Sequence, residues 1–69
     1  MQEFTLRDEY IKLGQLLKAA GIAESGVDAK DMIVDGLVRV NGEVDLRRGR
    51  KVYPGDEVEV GNEIIKVAK

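Results

Sequence analysis

Apolar residues in this chain change their spacing as the sequence proceeds, and the spacing predicts the elements. Leu13, Leu16, Leu17 and Ala20 fall at i, i+3, i+4 and i+7, which stacks them on one helical face, so a helix is predicted over residues 12–20. Gly21 follows, where a left-handed residue commonly closes a helix. A second helix is predicted from about Gly26, because Ser25-Gly-Val-Asp28 has the form of a capping box. Ala29, Met32 and Ile33 make its buried stripe, Asp28, Asp31 and Asp35 its wet side, Lys30 a flank, and Gly36 its end. Before both helices, Glu3-Phe4-Thr5-Leu6-Arg7 alternates with period two, the pattern of an edge strand with Phe4 and Leu6 turned inward.

From Leu37 onward the period is two. Leu-Val-Arg-Val runs into Asn41-Gly42, the pair best suited to the positive φ angles of a type I′ hairpin turn. A strict two-residue loop would pair Val40 with Glu43 and Arg39 with Val44, mixing apolar and charged residues on each face, so a bulge or longer loop is expected. Val52-Tyr53 continues extended, Pro54-Gly55 suits a type II turn, Val58 and Val60 alternate with Glu57 and Glu59, and Gly61-Asn62 turns into a last strand over residues 63–67. The order β-αα-ββββ predicts an α+β fold: two N-terminal helices packed on one face of a small, bent antiparallel sheet of about four to five short strands.

Sixty-nine residues make one domain with a thin core and little room for an enclosed active site. With no cysteine and no histidine there is no Ser/His/Asp or Cys/His set, no thiolate metal site and no disulfide. The chain has no GxxxxGK[ST] or GxGxxG run to hold a nucleotide cofactor, and its adjacent acids, such as Asp8-Glu9 and Asp56-Glu57, lie in polar contexts. The expectation is a protein with no catalytic residues, metal or cofactor. No apolar stretch approaches the roughly 20 residues that cross a bilayer, and MQEFTLRDEY has no signal-peptide core, so a cytoplasmic monomer away from membranes is expected.

The net charge of −2 conceals a strong asymmetry. Arg39, Arg47, Arg48, Arg50 and Lys51 face only Glu43 and Asp45 across residues 39–51, whereas Asp56, Glu57, Glu59 and Glu63 stand without a base across residues 56–63. Four cations in the RRGRK stretch repel one another unless something anionic offsets them. One reading is a solvated loop held near the acids of residues 56–63. Another is an anion-binding face to which Lys12, Lys30 and Arg39 also contribute from element ends and edges. The acidic stretch itself reads as water-facing strand, where Glu guards an edge.

The run "KLGQLLKAAGIAESGVDAKDMI", then "GLVRVNGEV", then "VYPGDEVEV" resembles the RNA-binding domain named after ribosomal protein S-four, also called the αL motif. Leu13-Gly14-Gln15-x-Leu17-Lys18, Ser25-Gly26 and the RRGRK loop are similar to its short stand-alone bacterial subgroup, the YaaA or YbcJ proteins, and that likeness covers essentially the whole chain as a single RNA-binding domain over residues 1–69. The resemblance implies a non-catalytic, cytoplasmic protein whose partner is structured RNA, ribosomal RNA above all, with the ribosome or a precursor particle as its setting. It places Lys12 at the cationic position opening the first helix, Lys30 at the basic position after the second-helix Ala, and Arg39 at the hairpin's basic position. Arg47, Arg48, Arg50 and Lys51 are the subgroup's addition. This chain departs from the common pattern with Gly26 where many members carry Arg and Gly14 where many carry Asp. Beside Ser25, Gly26 would leave the second helix's first N–H groups open to a phosphate. With three aromatic residues in all, phosphate and shape contacts are expected rather than base stacking. The rival expectation is a protein-docking module that offers the basic loop to an acidic partner.

Overall fold

The computed structural model describes all 69 residues. Strand β1 (Gln2–Thr5) and the two-residue strand β2 (Ile11–Lys12) precede helices α1 (Leu13–Ala19) and α2 (Gly26–Val34). Strands β3 (Val38–Val40), β4 (Glu43–Val44), β5 (Lys51–Val52), β6 (Glu57–Val60) and β7 (Glu63–Ala68) follow. Five of them form one sheet in the order β1-β7-β6-β3-β4, and β2 pairs with β5 in a separate two-stranded sheet. The α+β architecture is the one expected, with two differences: β1 runs parallel to β7, Phe4 opposite Val67, so the sheet is mixed, and β2 with β5 stands apart from it as a second small sheet.

Both helices stop by the same device. At the end of α1, Gly21 N–H reaches the Lys18 carbonyl at 3.1 Å and Ile22 N–H the Leu17 carbonyl at 3.0 Å, while after α2 Gly36 and Leu37 repeat the pattern on Ile33 and Met32 at 3.1 Å each. Gly21 and Gly36 take the positive φ angles, 80° and 77°, that this closure requires. At the start of α2, Ser25 Oγ accepts from Asp28 N–H at 3.1 Å, and Asp28 Oδ2 accepts from Glu24 N–H at 3.0 Å, one residue before the position of a standard capping box.

Leu13, Leu16 and Leu17 of α1 meet Ala29 and Ile33 of α2 and Val38, Val40, Val58, Ile65 and Val67 of the sheet in one continuous core, with Phe4 and Met32 at its margin. The alternating residues Arg39, Glu57, Glu59 and Lys66 face the other way, and in register Arg39 opposes Glu59 and Glu57 opposes Lys66. No helix is long and apolar enough to cross a membrane.

The expected bulge is absent. Asn41 and Gly42 adopt φ angles of 53° and 87°, and the hairpin closes with Val40 opposite Glu43 and Arg39 opposite Val44. Strand β4 tolerates this because it is two residues long, at the sheet edge, with both side chains exposed. The conflict that would have forced a bulge falls one residue later, on Asp45.

Candidate functional site

Asp45 N–H bonds the Val38 carbonyl at 3.1 Å, which turns the carboxylate toward the core side of the sheet, where only 7% of the residue is exposed. A charge there must be compensated. Asp45 Oδ1 accepts from Arg47 N–H at 2.9 Å and Arg47 Nε at 3.1 Å, and Oδ2 accepts from Arg47 Nη2 at 3.0 Å and Arg50 Nη1 at 2.9 Å. The Arg47 side-chain bonds hold the Asp45 carboxyl well below the usual carboxylate range despite burial, which acts in the opposite sense, and Arg50 adds to the lowering. The same bonds push the Arg47 guanidinium up. The loop over residues 45–51 is thus wound around an internal anion, not held by the acids of residues 56–63.

That loop completes α1. Lys12 sits at the N-cap without a side-chain cap, so the first N–H groups of the helix need partners from elsewhere. Leu13 N–H donates to the Arg50 carbonyl at 2.8 Å and Gly14 N–H to the Arg48 carbonyl at 3.0 Å. Gly14 leaves room for the stem of the Arg48 side chain: a Cβ at this position would lie 2.7 Å from Arg48 Cγ. In this structure an Asp at position 14 would displace the Arg48 side chain.

Between the docked loop and the two helices lies a cleft of about 390 Å³ lined by Lys12, Gly14, Gln15, Lys18, Gly26, Arg48 and Gly49. Its three charged residues are all cations and come from three places: the start of α1, its last turn, and the loop. Gly26 brings the first turn of α2 to the wall, with open space where a side chain would stand. Cations in a concave site with no acid in its lining concentrate positive potential, and the free N–H groups of a helix start add to it. The arrangement is suited to anionic oxygens.

Of the residues singled out from sequence, Lys12, Gly26 and Arg48 meet here, and Ser25 is adjacent, its hydroxyl engaged as the α2 cap. Lys51 lies across β2–β5 from Lys12, its ammonium 4.9 Å from the centre of the Tyr10 ring. Arg47 and Arg50 are ion-paired to Asp45, although Arg47 remains 73% exposed along its side chain. Lys30 is exposed on α2 and lines no cleft. Arg39 opens into a separate groove with Leu37 and Glu59 that shares no residue with the basic cleft. Lys18 and Gln15 belong to the subgroup motif but not to the expected RNA-binding positions, and the signal that adds them is their spacing: Lys12, Gln15 and Lys18 are spaced by three, opposite the Leu13, Leu16 and Leu17 stripe.

The chain matches the S4 domain family over residues 4–68. It belongs to that family. The Bacillus subtilis protein RlbA, named as a probable ribosome maturation protein, is 52% identical over 52 residues, which cover 75% of this chain and 73% of that one. YbcJ of Escherichia coli is 35% identical over 68 residues, 97% of each chain. A solution structure of YbcJ, described as revealing an αL motif involved in RNA binding, superposes with a TM-score of 0.77 at 34% identity and covers 100% of this chain and 89% of that one. The family resemblance of the sequence and the α+β fold are both borne out.

Proposed function

We propose that this S4-domain protein is a non-catalytic RNA-binding protein of the cytoplasm, that its RNA is structured and ribosomal, and that the Lys12, Lys18 and Arg48 cleft grips the RNA backbone. The observation that carries the reading is the convergence of cations from separate segments, with no opposing acid, on the open first turn of α2. The kinship with RlbA and YbcJ supports the ribosomal setting. Phosphate contacts rather than base readout fit the cleft, whose lining holds no apolar residue. Arg48 adds a planar donor fork that grips two phosphate oxygens, and the lysines add point charges.

If three to four phosphates are neutralised, log K for RNA falls against log salt with a slope of about −3. The deciding experiment is recovery of the protein from cell extract with and without ribonuclease. Sedimentation with ribosomal particles that is lost on ribonuclease treatment is the expected result. Association that survives complete RNA digestion would favour docking on an acidic protein instead. Gly26→Glu provides an internal control, because its side chain enters open space and leaves the fold alone while placing an anion at the cleft wall. It is expected to weaken RNA binding about tenfold.

A further inference from the structure

Next to the basic cleft lies a second recess of different chemistry. It has a volume of about 280 Å³ and is walled on its apolar side by Phe4, Leu6, Tyr10 and Ile11, with Thr5, Arg7, Asp8 and Gln15 as its polar residues. Gln15 lines both recesses, so the two are contiguous across one side chain. Their contrast is that of the two ends of a nucleotide: an all-polar, cationic cleft on one side and a half-apolar groove with a few polar groups on the other. Gln15 carries an amide with a donor pair and an acceptor, the groups that the edge of a base requires.

The aromatic wall is pre-positioned. Tyr10 is half-buried, with the Lys51 ammonium 4.9 Å from its ring centre and the Tyr53 ring centroid 5.9 Å away at a tilt of 49°. These contacts order the ring before any ligand arrives, which lowers the cost of binding. Lys51 in turn is fixed across from Lys12, so the residue that holds Tyr10 is tied by β2–β5 pairing to a residue of the basic cleft. A fully stacked duplex would leave this groove unused.

We propose that the groove walled by Phe4, Tyr10 and Ile11 and bordered by Gln15 receives one unstacked nucleobase of the RNA whose phosphates occupy the adjoining cleft. The preferred ligand is then a duplex interrupted by an unpaired nucleotide. The inference rests on the RNA-binding reading and adds to it a base site.

The test compares a perfectly paired RNA hairpin with the same hairpin carrying one bulged adenosine, by fluorescence anisotropy at fixed salt. The wild-type protein is expected to bind the bulged hairpin about tenfold more tightly. Tyr10→Leu is expected to erase that preference while leaving the affinity for the perfect hairpin and its salt slope in place. Equal wild-type affinity for both hairpins, or a preference that survives Tyr10→Leu, overturns the base site and leaves the phosphate cleft standing. Failure to bind either hairpin overturns the RNA-binding reading and the base site with it. A measurement on wild type alone covers the case in which Tyr10→Leu does not fold: 4-thiouridine at the bulge, irradiated in the complex, is expected to cross-link within residues 4–15, and attachment elsewhere overturns the proposal. Adenosine monophosphate alone is expected to leave the groove resonances unshifted at concentrations where the bulged hairpin saturates. Equal shifts would assign the groove to a free nucleotide and overturn the tethered reading.

Discussion

Arg47 and Arg48 are neighbours in the chain, identical in chemistry, and differently employed. Arg47, with Arg50, closes on the buried Asp45 carboxylate and shapes the loop. Arg48 has no ion pair, gives its carbonyl to Gly14 N–H, and lines the cleft with Lys12 and Lys18. One stretch of positive charge therefore divides into a part that organises the loop and a part that lines the open cleft. The division follows from geometry: a residue at the position of Asp45 faces the core, and two arginines come in to compensate it. The local balance of charge overstates what is offered outward, because two of the loop's cations share one internal anion.

The sharpest way to test the division is to remove the outward pair. Lys12→Ala with Arg48→Ala takes away two of the proposed phosphate contacts and leaves every backbone bond of the α1 start in place, so RNA affinity is expected to fall on the order of fiftyfold at about 0.1 M salt, with the salt slope shallower by about 2. Arg47→Ala with Arg50→Ala also removes two cations but strands Asp45, and its main expected effect is on stability. If the two double variants change the salt slope equally, the division is wrong.

Breaking the organising half comes next. Asp45→Ala removes four hydrogen bonds to a charged acceptor and is expected to cost about 2 kcal/mol in urea unfolding at neutral pH. It is also expected to weaken RNA binding, although it deletes a negative charge near the cleft. A purely electrostatic account predicts tighter binding, so the sign decides. The pH dependence follows from the lowered Asp45 pKa. A carboxyl held below its unfolded value contributes stability that is fully present above about pH 4 and is lost as pH falls toward the folded value. The stability difference between wild type and Asp45→Asn should stay flat from neutral down to about pH 4 and shrink below it. A difference that stays constant down to about pH 2 would mean that the ion pair contributes nothing in solution.

Asp45 also shows where sequence reasoning stops. The helices were legible because four apolar residues repeat at helical spacing and a glycine closes each one, and the hairpin was legible because Asn41-Gly42 serves few other purposes. The β2–β5 pair was not, since two residues cannot display a period. Nor was the parallel β1–β7 contact, because alternation marks a strand but not the direction of its neighbour. Counting Glu43 and Asp45 alike as acids of a charged loop hid the fact that one is exposed on an edge and the other is buried two residues later. Lys18 was legible in principle, from its spacing to Lys12, but it lies in the last turn of a helix, where a cation has the ordinary role of complementing the dipole.

Gly14→Ala sharpens the comparison by moving Arg48 alone. The added methyl would lie 2.7 Å from Arg48 Cγ, an atom too near the backbone to swing aside without a change of rotamer. The gain in helix propensity, about 1 kcal/mol, opposes a clash of similar size, so net stability is expected to change little. RNA affinity is expected to fall about fivefold as the guanidinium leaves the cleft, roughly a single lost contact. Unchanged affinity would mean that Arg48 acts through its charge and not its position.

The smallest expected effect belongs to Arg39. The family resemblance gives it an RNA-binding role, yet β3 turns it away from the core side of the sheet, opposite Glu59, in a groove that shares no residue with the basic cleft. If binding depends on cations that converge, Arg39→Ala should change RNA affinity by no more than about twofold and leave the salt slope intact within error. A loss comparable to that of Lys12→Ala would enlarge the interface to the outer sheet face, and the ligand would then have to reach around the β4 edge. That outcome would also recast the Arg39 and Glu59 opposition, because a carboxylate beside a phosphate-binding guanidinium weakens the contact it adjoins. Arg39→Ala with Glu59→Gln separates the cases: restored affinity in the double variant marks a general field effect, and a loss equal to that of the single variant marks a direct contact by Arg39.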